Sequence, residues 1–290
     1  MVNEMVDINL SGKTKMVILI GNPVEHSMSP KMHTMAFKEI KMDAVYLATK
    51  VENDKVKEAI DSIKALNLLG ANVTVPHKVA VMNHIDEIDP IARDIGAVNT
   101  IINENGKLYA TNTDGLGFIR SMKDAGIKLK DIKAVMIGAG GVARAIAFYL
   151  LQEIDSLKLT DIKNEVSKEL LLKLKERYGD RVEKFDLTIE NLEKELKNAN
   201  LLINCTPVGM HPNVNKTPIP KEFLRKDLVV FDAVYNPLET LLLKNAKAVG
   251  AIVISGVKMF VYQGVEAFER WTKKKAPVEL MEKIVLDSLK

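Results

Sequence analysis

Lys133-Ala134-Val135-Met136-Ile137-Gly138-Ala139-Gly140-Gly141-Val142-Ala143-Arg144-Ala145 is the stretch on which the fold turns. Residues 134–137 form the short apolar run of a buried parallel strand, and Gly138, Gly140 and Ala143 then fit the G-x-G-x-x-[GA] spacing of a turn that opens a helix. Each small residue has its own task. Gly138 permits the tight turn, Gly140 lets the backbone approach a pyrophosphate, and Ala143 lets the helix lie close on the strand. The unbonded N–H groups at the helix start would face the anion. The next strand, 157–160, is followed by Asp161, about 20 residues beyond the turn, where a ribose-binding carboxylate is expected. A ligand-free turn would not call for that carboxylate, so the stretch is read as a dinucleotide site.

Downstream the alternation is regular. Strand 134–137, helix 141–151, strand 157–160, helix 164–177, a weaker strand 182–185 and strand 201–204 predict a parallel, doubly wound Rossmann-type sheet with right-handed crossovers. Strand 228–233 follows, then a helix opened by Tyr235-Asn236-Pro237 and closed near Gly250. Strand 251–254 runs through Ser255-Gly256 into a helix carrying Gln263. The last helix begins near Pro277 with Met281, Ile284, Val285 and Leu289 as its stripe. Because it follows a completed nucleotide domain, it is expected to return to the N-terminal one.

Upstream, a polar leader precedes strand 16–20 and the loop Gly21-Asn22-Pro23-Val24-Glu25-His26-Ser27-Met28-Ser29-Pro30. Ser29 before Pro30 fits an N-cap followed by the first helical position. That is a structural reason for Ser29 and none for Ser27. A hydroxyl pair in a strand-to-helix loop suits a polyhydroxy or carboxylate ligand. Strand 45–49, helix 54–66 and strand 69–75 follow, the last placing Asn72, Thr74 and Lys78 near a carboxyl end, where α/β crevices lie. On pattern alone Lys78 reads more readily as a surface charge than as a catalytic amine. Residues 86–95 look helical, and strand 96–102 pairs through the turn at 103–106 with 107–111. Asn112-Thr113-Asp114-Gly115-Leu116-Gly117 then reads as a polar, glycine-rich break before a helix, with Asp114 more simply an N-cap than a catalytic group. The domain junction is placed there: residues 1–114, completed by 257–290, form a catalytic α/β domain, and 115–256 form the nucleotide domain.

A chain of 290 residues with 47% hydrophobic and 27% charged residues suits two ordinary globular domains, and disorder or low complexity is not indicated. The net charge of +3 is mild, and the run 273–275 reads as a solvated helix end, so nucleic acid is not expected. The single Cys205 reads as a small core residue in a reducing compartment. His26, His33, His77, His84 and His211 form no metal-ligand spacing, so no metal is implied. With neither a signal segment nor a run near the ~20 apolar residues of a membrane span, a cytoplasmic protein is expected.

Taken together, these strings resemble the shikimate dehydrogenase family through almost the whole chain. His26-Ser27-Met28-Ser29-Pro30 is similar to its serine pair, and Asn72-Val73-Thr74-Val75-Pro76-His77-Lys78 to its catalytic strand end. Residues 96–100 and 112–117 are similar to its other substrate segments, 138–143 to its cofactor turn and 204–210 to its cofactor-side loop. Tyr235-Asn236-Pro237 and Tyr262-Gln263-Gly264 are similar to its tyrosine and glutamine motifs. The resemblance implies an NAD(P)-dependent oxidoreductase that interconverts shikimate and 3-dehydroshikimate in aromatic amino-acid biosynthesis. It implies that Lys78 moves the proton beside Asp114, that Ser27, Ser29 and Tyr235 bind the carboxylate, and that Asn72, Thr74, Asn99 and Gln263 address the ring hydroxyls. A carboxylate beside an ammonium favours its charged form, so Asp114 is given the tasks of orienting the amine and bonding a substrate hydroxyl. Ala139, Gly141, Val142, Lys163, Thr206, Ala233 and Gly256 join Gly138, Gly140 and Asp161 in the implied cofactor set.

The chain departs from the family at one place. Most members favour NADP and carry Asn-Arg-Thr after the second nucleotide-domain strand, whereas Asp161-Ile162-Lys163 stands here. A carboxylate there bonds the ribose hydroxyls and repels a 2′-phosphate, so NAD is expected over NADP, with Lys163 the neighbouring cation able to oppose this. NAD use makes quinate a second candidate substrate. The rivals are a methylenetetrahydrofolate dehydrogenase-like enzyme, disfavoured by the serine pair and the Tyr235 and Gln263 motifs, and a non-catalytic shikimate- or quinate-sensing domain, disfavoured by Lys78 and Asp114. A small-molecule substrate is expected and neither nucleic acid nor membrane; a homodimer is compatible with the sequence, which is silent on oligomeric state.

Overall fold

The computed structural model describes residues 10–290, so the first nine residues of the polar leader fall outside them. The chain builds two six-stranded sheets. The first combines β1 (Lys15–Gly21), β2 (Ala44–Lys50), β3 (Gly70–Val73), β4 (Glu87–Ile88), β5 (Thr100–Glu104) and β6 (Lys107–Thr111) in the order β2-β1-β3-β5-β6-β4. β1 runs parallel to both β2 and β3, while β5 is antiparallel to β3 and β6. Around it stand α1 (Ser29–Glu39), α2 (Val56–Ala65) and α3 (Pro90–Ile95).

α4 (Thr113–Asp124) leads into the second sheet, made of β7 (Lys133–Ile137), β8 (Ser156–Thr160), β9 (Val182–Lys184), β10 (Leu201–Asn204), β11 (Val229–Asp232) and β12 (Ile252–Ser255). All its pairings are parallel, in the order β12-β11-β10-β7-β8-β9, so the chain reverses direction beside β7 as a doubly wound sheet does. α5 (Gly141–Leu150), α6 (Asn164–Tyr178), α7 (Ile189–Lys197) and α8 (Leu241–Ala248) accompany it. α9 (Gly256–Thr272) and α10 (Val278–Ser288) then return to the first sheet. Met281, Ile284 and Val285 share a core with Val17, Phe37 and Phe268, as the apolar stripe led one to expect.

Several local expectations are corrected. Residues 86–95 are not one helix: Glu87–Ile88 is a strand, and Asp89 caps α3, its carboxylate accepting from Ile91 N at 2.9 Å and Ala92 N at 3.1 Å. The residue before a proline is pushed to extended backbone, so Asp89-Pro90 marks the start. Tyr235-Asn236-Pro237 does not open a helix either; α8 starts at Leu241, with the Thr240 hydroxyl accepting from Leu243 N. α7 was not anticipated. Residues 112–117 are no break: α4 starts at Thr113, capped by Asn112.

The two glycines of α4 are contact points. A methyl group on Gly115 would sit 2.5 Å from the Ala145 carbonyl of α5, and one on Gly117 would sit 2.6 Å from the Gln263 nitrogen of α9. Successive odd positions face opposite sides of a helix, so α4 presses against α5 on one side and α9 on the other. Among the described residues, no helix is long and apolar enough to cross a membrane.

Candidate active site

Position 78 is fixed by its neighbours. After β3 the chain turns at Thr74, whose carbonyl accepts from His77 N at 3.0 Å, and the Lys78 carbonyl accepts from Val98 N at 2.9 Å. The buried His77 ring places Nε2 2.7 Å from the Val51 carbonyl, an acceptor, so Nε2 carries the proton. The Lys78 ammonium thereby reaches Asp114 Oδ2 at 2.6 Å, with 26% and 15% of the two side chains exposed. The amine and the carboxylate expected to work together are therefore in contact, although they come from β3's end and α4's first turn.

Asp114 is not the N-cap that pattern alone suggested; Asn112 Oδ1 accepts from its N–H at 3.0 Å. Its second oxygen accepts from Asn99 Nδ2 at 2.8 Å. Asn99 Oδ1 in turn accepts from Thr113 N at 2.8 Å and from the hydroxyls of Thr100 and Thr113. Asp114 thus takes the Lys78 ammonium on one oxygen and the Asn99 amide on the other, two donors to one carboxylate.

The serine pair is arranged differently from the sequence expectation. Ser29 caps nothing; it is the first residue of α1 after Met28, and Ser27 Oγ accepts from Ser29 N at 3.2 Å. The hydroxyl with a local structural job is therefore that of Ser27. Ser29 is buried and Ser27 half-buried. Thr74 leans over Gly21, where a methyl group would meet its Cγ2 at 2.3 Å. Asn72 is buried, and its amide nitrogen is already committed to the Asn99 carbonyl and Thr100 Oγ1, both at 3.0 Å. Gln263, two turns into α9, gives its amide N–H to the Phe260 carbonyl at 2.9 Å. Tyr235 lies over Phe260, ring centroids 5.4 Å apart, and remains 40% exposed.

The nucleotide-side residues sit at the carboxyl edge of the second sheet. Gly138 has a positive φ of 99°, and a methyl group there would meet the Cys205 carbonyl carbon at 2.9 Å, so both the turn and the contact require glycine. Gly140 and Gly141 have nothing within 4 Å of an added methyl, leaving the start of α5 open to a pyrophosphate. Ala143 is wholly buried against the sheet. Asp161 faces this turn: Oδ2 accepts from Ala139 N and Oδ1 from Lys163 N, both at 2.8 Å. Lys163 and Val142 are exposed. Gly256 packs so closely that a methyl would meet the Ala233 carbonyl at 2.4 Å. The residues present fit a dinucleotide.

Asp232 and Thr240 escaped the sequence reading. Asp232 is wholly buried and accepts from Asn204 Nδ2 at 2.9 Å, Val234 N at 3.1 Å and Thr240 Oγ1 at 2.6 Å. Burial pushes its carboxyl up, and these three donors act the other way. Asn204 Oδ1 also takes the Thr206 hydroxyl at 2.7 Å, so one buried carboxylate ties down both Thr206 and the Tyr235 loop. A lone aspartate at the end of an apolar strand is the signal that would have found it.

Comparison with known proteins agrees with this geometry. Residues 19–101 match the family model described as the shikimate dehydrogenase substrate binding domain, and 256–286 match the shikimate 5′-dehydrogenase C-terminal domain. The chain is 43% identical to a shikimate dehydrogenase (NADP+) of Methanocaldococcus jannaschii over 97% of its own length and 99% of that protein. A crystallised shikimate dehydrogenase in complex with NADP+ superposes with a TM-score of 0.91 at 40% identity, covering 98% of this chain and 99% of that one. The shikimate 5-dehydrogenase of Listeria monocytogenes in complex with shikimate and NAD does so with 0.92 at 34% identity, covering 96% and 99%. The chain belongs to the shikimate dehydrogenase family.

Proposed function

We propose that the protein interconverts shikimate and 3-dehydroshikimate with a nicotinamide cofactor, the bound nicotinamide taking or giving the hydride at the ring carbon that carries the reacting oxygen. The observation that carries this reading is the Lys78–Asp114 contact at 2.6 Å, held from behind by Asn99. In it Lys78 moves the proton at the reacting oxygen, and Asp114 orients the ammonium and accepts from a neighbouring ring hydroxyl. Ser27, Ser29 and Tyr235 hold the carboxylate with hydroxyl donors. Asn72, Thr74, Asn99 and Gln263 address the ring hydroxyls; an unpaired buried partner costs ~1–3 kcal/mol, so analogues lacking a hydroxyl should be poor substrates. A sensing domain would have no use for an amine held against a carboxylate in this way.

Asp161 supports NAD over NADP. Its two backbone bonds pin the carboxylate opposite the glycine-rich turn, where it would accept from ribose hydroxyls and repel a 2′-phosphate. The experiment is a spectrophotometric assay with shikimate and either cofactor, following the reduced nicotinamide. Activity with shikimate and a higher kcat/KM for NAD are expected; no turnover would refute the reaction, and a tenfold preference for NADP would refute the cofactor assignment.

A further inference from the structure

Tyr46 lies in the interior strand face of β2, 1% exposed, with no part in the site as described above. Two elements are keyed to it. Thr34 of α1 brackets its backbone, accepting from Tyr46 N at 3.1 Å and donating to Tyr46 O at 3.4 Å. His33 of the same helix stacks on its ring at 4.7 Å. α1 begins with the buried Ser29, so the strand and the serine end of the pocket are joined through this helix. The Tyr46 hydroxyl meets Asn72 Oδ1 at 2.8 Å.

The directions of the bonds beyond this point follow from their acceptors, save between Thr100 and Thr113, whose hydroxyls lie 3.0 Å apart so that either can donate; both also reach Asn99 Oδ1, which only accepts. Asn72 turns its amide nitrogen to the Asn99 carbonyl, which only accepts, so Oδ1 faces Tyr46 and the phenol must donate. Asn72 Nδ2 donates to Thr100 Oγ1, and Thr100 lies 3.0 Å from Asn99 Oδ1, which only accepts. Asn99 is oriented by the Thr113 N–H, so its amide nitrogen is the atom that meets Asp114. Donors therefore run in one direction, from Tyr46 through Asn72, Thr100 and Asn99 to the Asp114 carboxylate. Buried bonds in series polarise one another, and the whole chain leans toward the charge it ends on.

We propose that Tyr46 is a positioning residue for this reaction: its hydroxyl fixes the Asn72 amide and ties the serine end of the pocket to the Lys78–Asp114 end. A rigid ring held at its carboxylate by one end and at its reacting carbon by the other needs those ends at a fixed separation. Tyr46 sets it without touching the substrate. The inference rests on the proposed shikimate reaction, and the tests separate the two. A parent protein that does not turn over shikimate would fail that reaction; an active parent indifferent to loss of the phenol would fail this inference.

In Tyr46→Phe the KM for shikimate should rise about tenfold, the worth of one directed buried hydrogen bond, while the KM for the cofactor stays within about twofold. Thr100→Val, which cuts the same chain at a wholly buried isostere, should give the same split, and it decides the matter should Tyr46→Phe fail to fold. On a Ser29→Ala background the effect of Tyr46→Phe should shrink to about twofold or less, because Tyr46 acts on the substrate through the serine end of the pocket. An unchanged KM for shikimate, parallel shifts in both KM values, or the full effect on the Ser29→Ala background would each overturn the proposal.

Discussion

Gly117 of α4 and Gln263 of α9 approach until a methyl group at Gly117 would lie 2.6 Å from the Gln263 nitrogen and 2.8 Å from the Met259 carbonyl. These are backbone atoms, so no side chain can swing away to make room. Asp114 stands on the first turn of α4, three residues before this crossing.

Gly117→Ala should therefore weaken fold and site together. Helix propensity favours alanine by up to ~1 kcal/mol, but overpacking against backbone costs about 1–3 kcal/mol or more. A net loss of stability, read as a Tm lower by several degrees, should accompany a raised KM for shikimate. A variant that melts at or above the parent temperature would show that α4 and α9 slide apart freely.

Lys78→Arg tests whether the amine does more than supply charge. Arginine keeps the cation and can still pair with Asp114, but it does not release its proton in a protein. Both Lys78→Arg and Lys78→Ala should lower kcat by about 10²–10⁴, the usual worth of a positioned acid or base, with little change in Tm. Lys78→Arg retaining a tenth of the parent kcat would reduce Lys78 to an electrostatic role.

The parts of the fold that could be read in advance are those whose signal is local. Residues 201–204 are a strand in sequence and structure alike, and Gly138-Ala139-Gly140-Gly141 announces its own turn. α7 was legible in principle: Thr188 accepts from Asn191 N ahead of Ile189, Leu192 and Leu196. Gly115 and Gly117 were not, because a missing side chain signals either a turn or a close contact, and only the positions of Ala145 and Gln263 decide which. Lys78 and Asp114 stood out through family resemblance rather than spacing, and their contact spans 36 residues. Tyr46, His77 and Asp232 drew no role from the sequence, because what marks each of them is a hydrogen-bond partner distant along the chain.

Cofactor choice should respond to a residue that packs against almost nothing. Ile162, 86% exposed, stands between Asp161 and Lys163, where most family members are expected to carry arginine. Ile162→Arg leaves the backbone bonds of Asp161 intact and adds a phosphate fork. It should raise kcat/KM with NADP by about tenfold while leaving NAD within about twofold, at unchanged Tm. Asp161→Asn is the contrasting case: its amide nitrogen cannot accept from Ala139 N or Lys163 N, so it should weaken both cofactors. Equal responses of NAD and NADP to Ile162→Arg would remove this position from cofactor recognition.

Acid stability should carry the mark of His33. The ring is wholly buried among Tyr46, Phe268 and Trp271, and among the described residues neither nitrogen has a hydrogen-bond partner. Burial holds it neutral, pushing its pKa from 6.5 down to about 3. Above pH 6.5 both folded and unfolded chains leave the ring neutral, and the residue adds no pH dependence. Below it the unfolded chain takes up a proton that the folded one refuses, so stability falls by about 1.4 kcal/mol per pH unit until the folded ring titrates as well. His33→Phe removes that proton and keeps an aromatic ring in the stack. Urea melts between pH 7 and 4.5 should show the parent losing about 2–3 kcal/mol more than the variant across that range. Parallel pH profiles for the two proteins would mean that the buried ring takes up its proton as readily when folded as when unfolded.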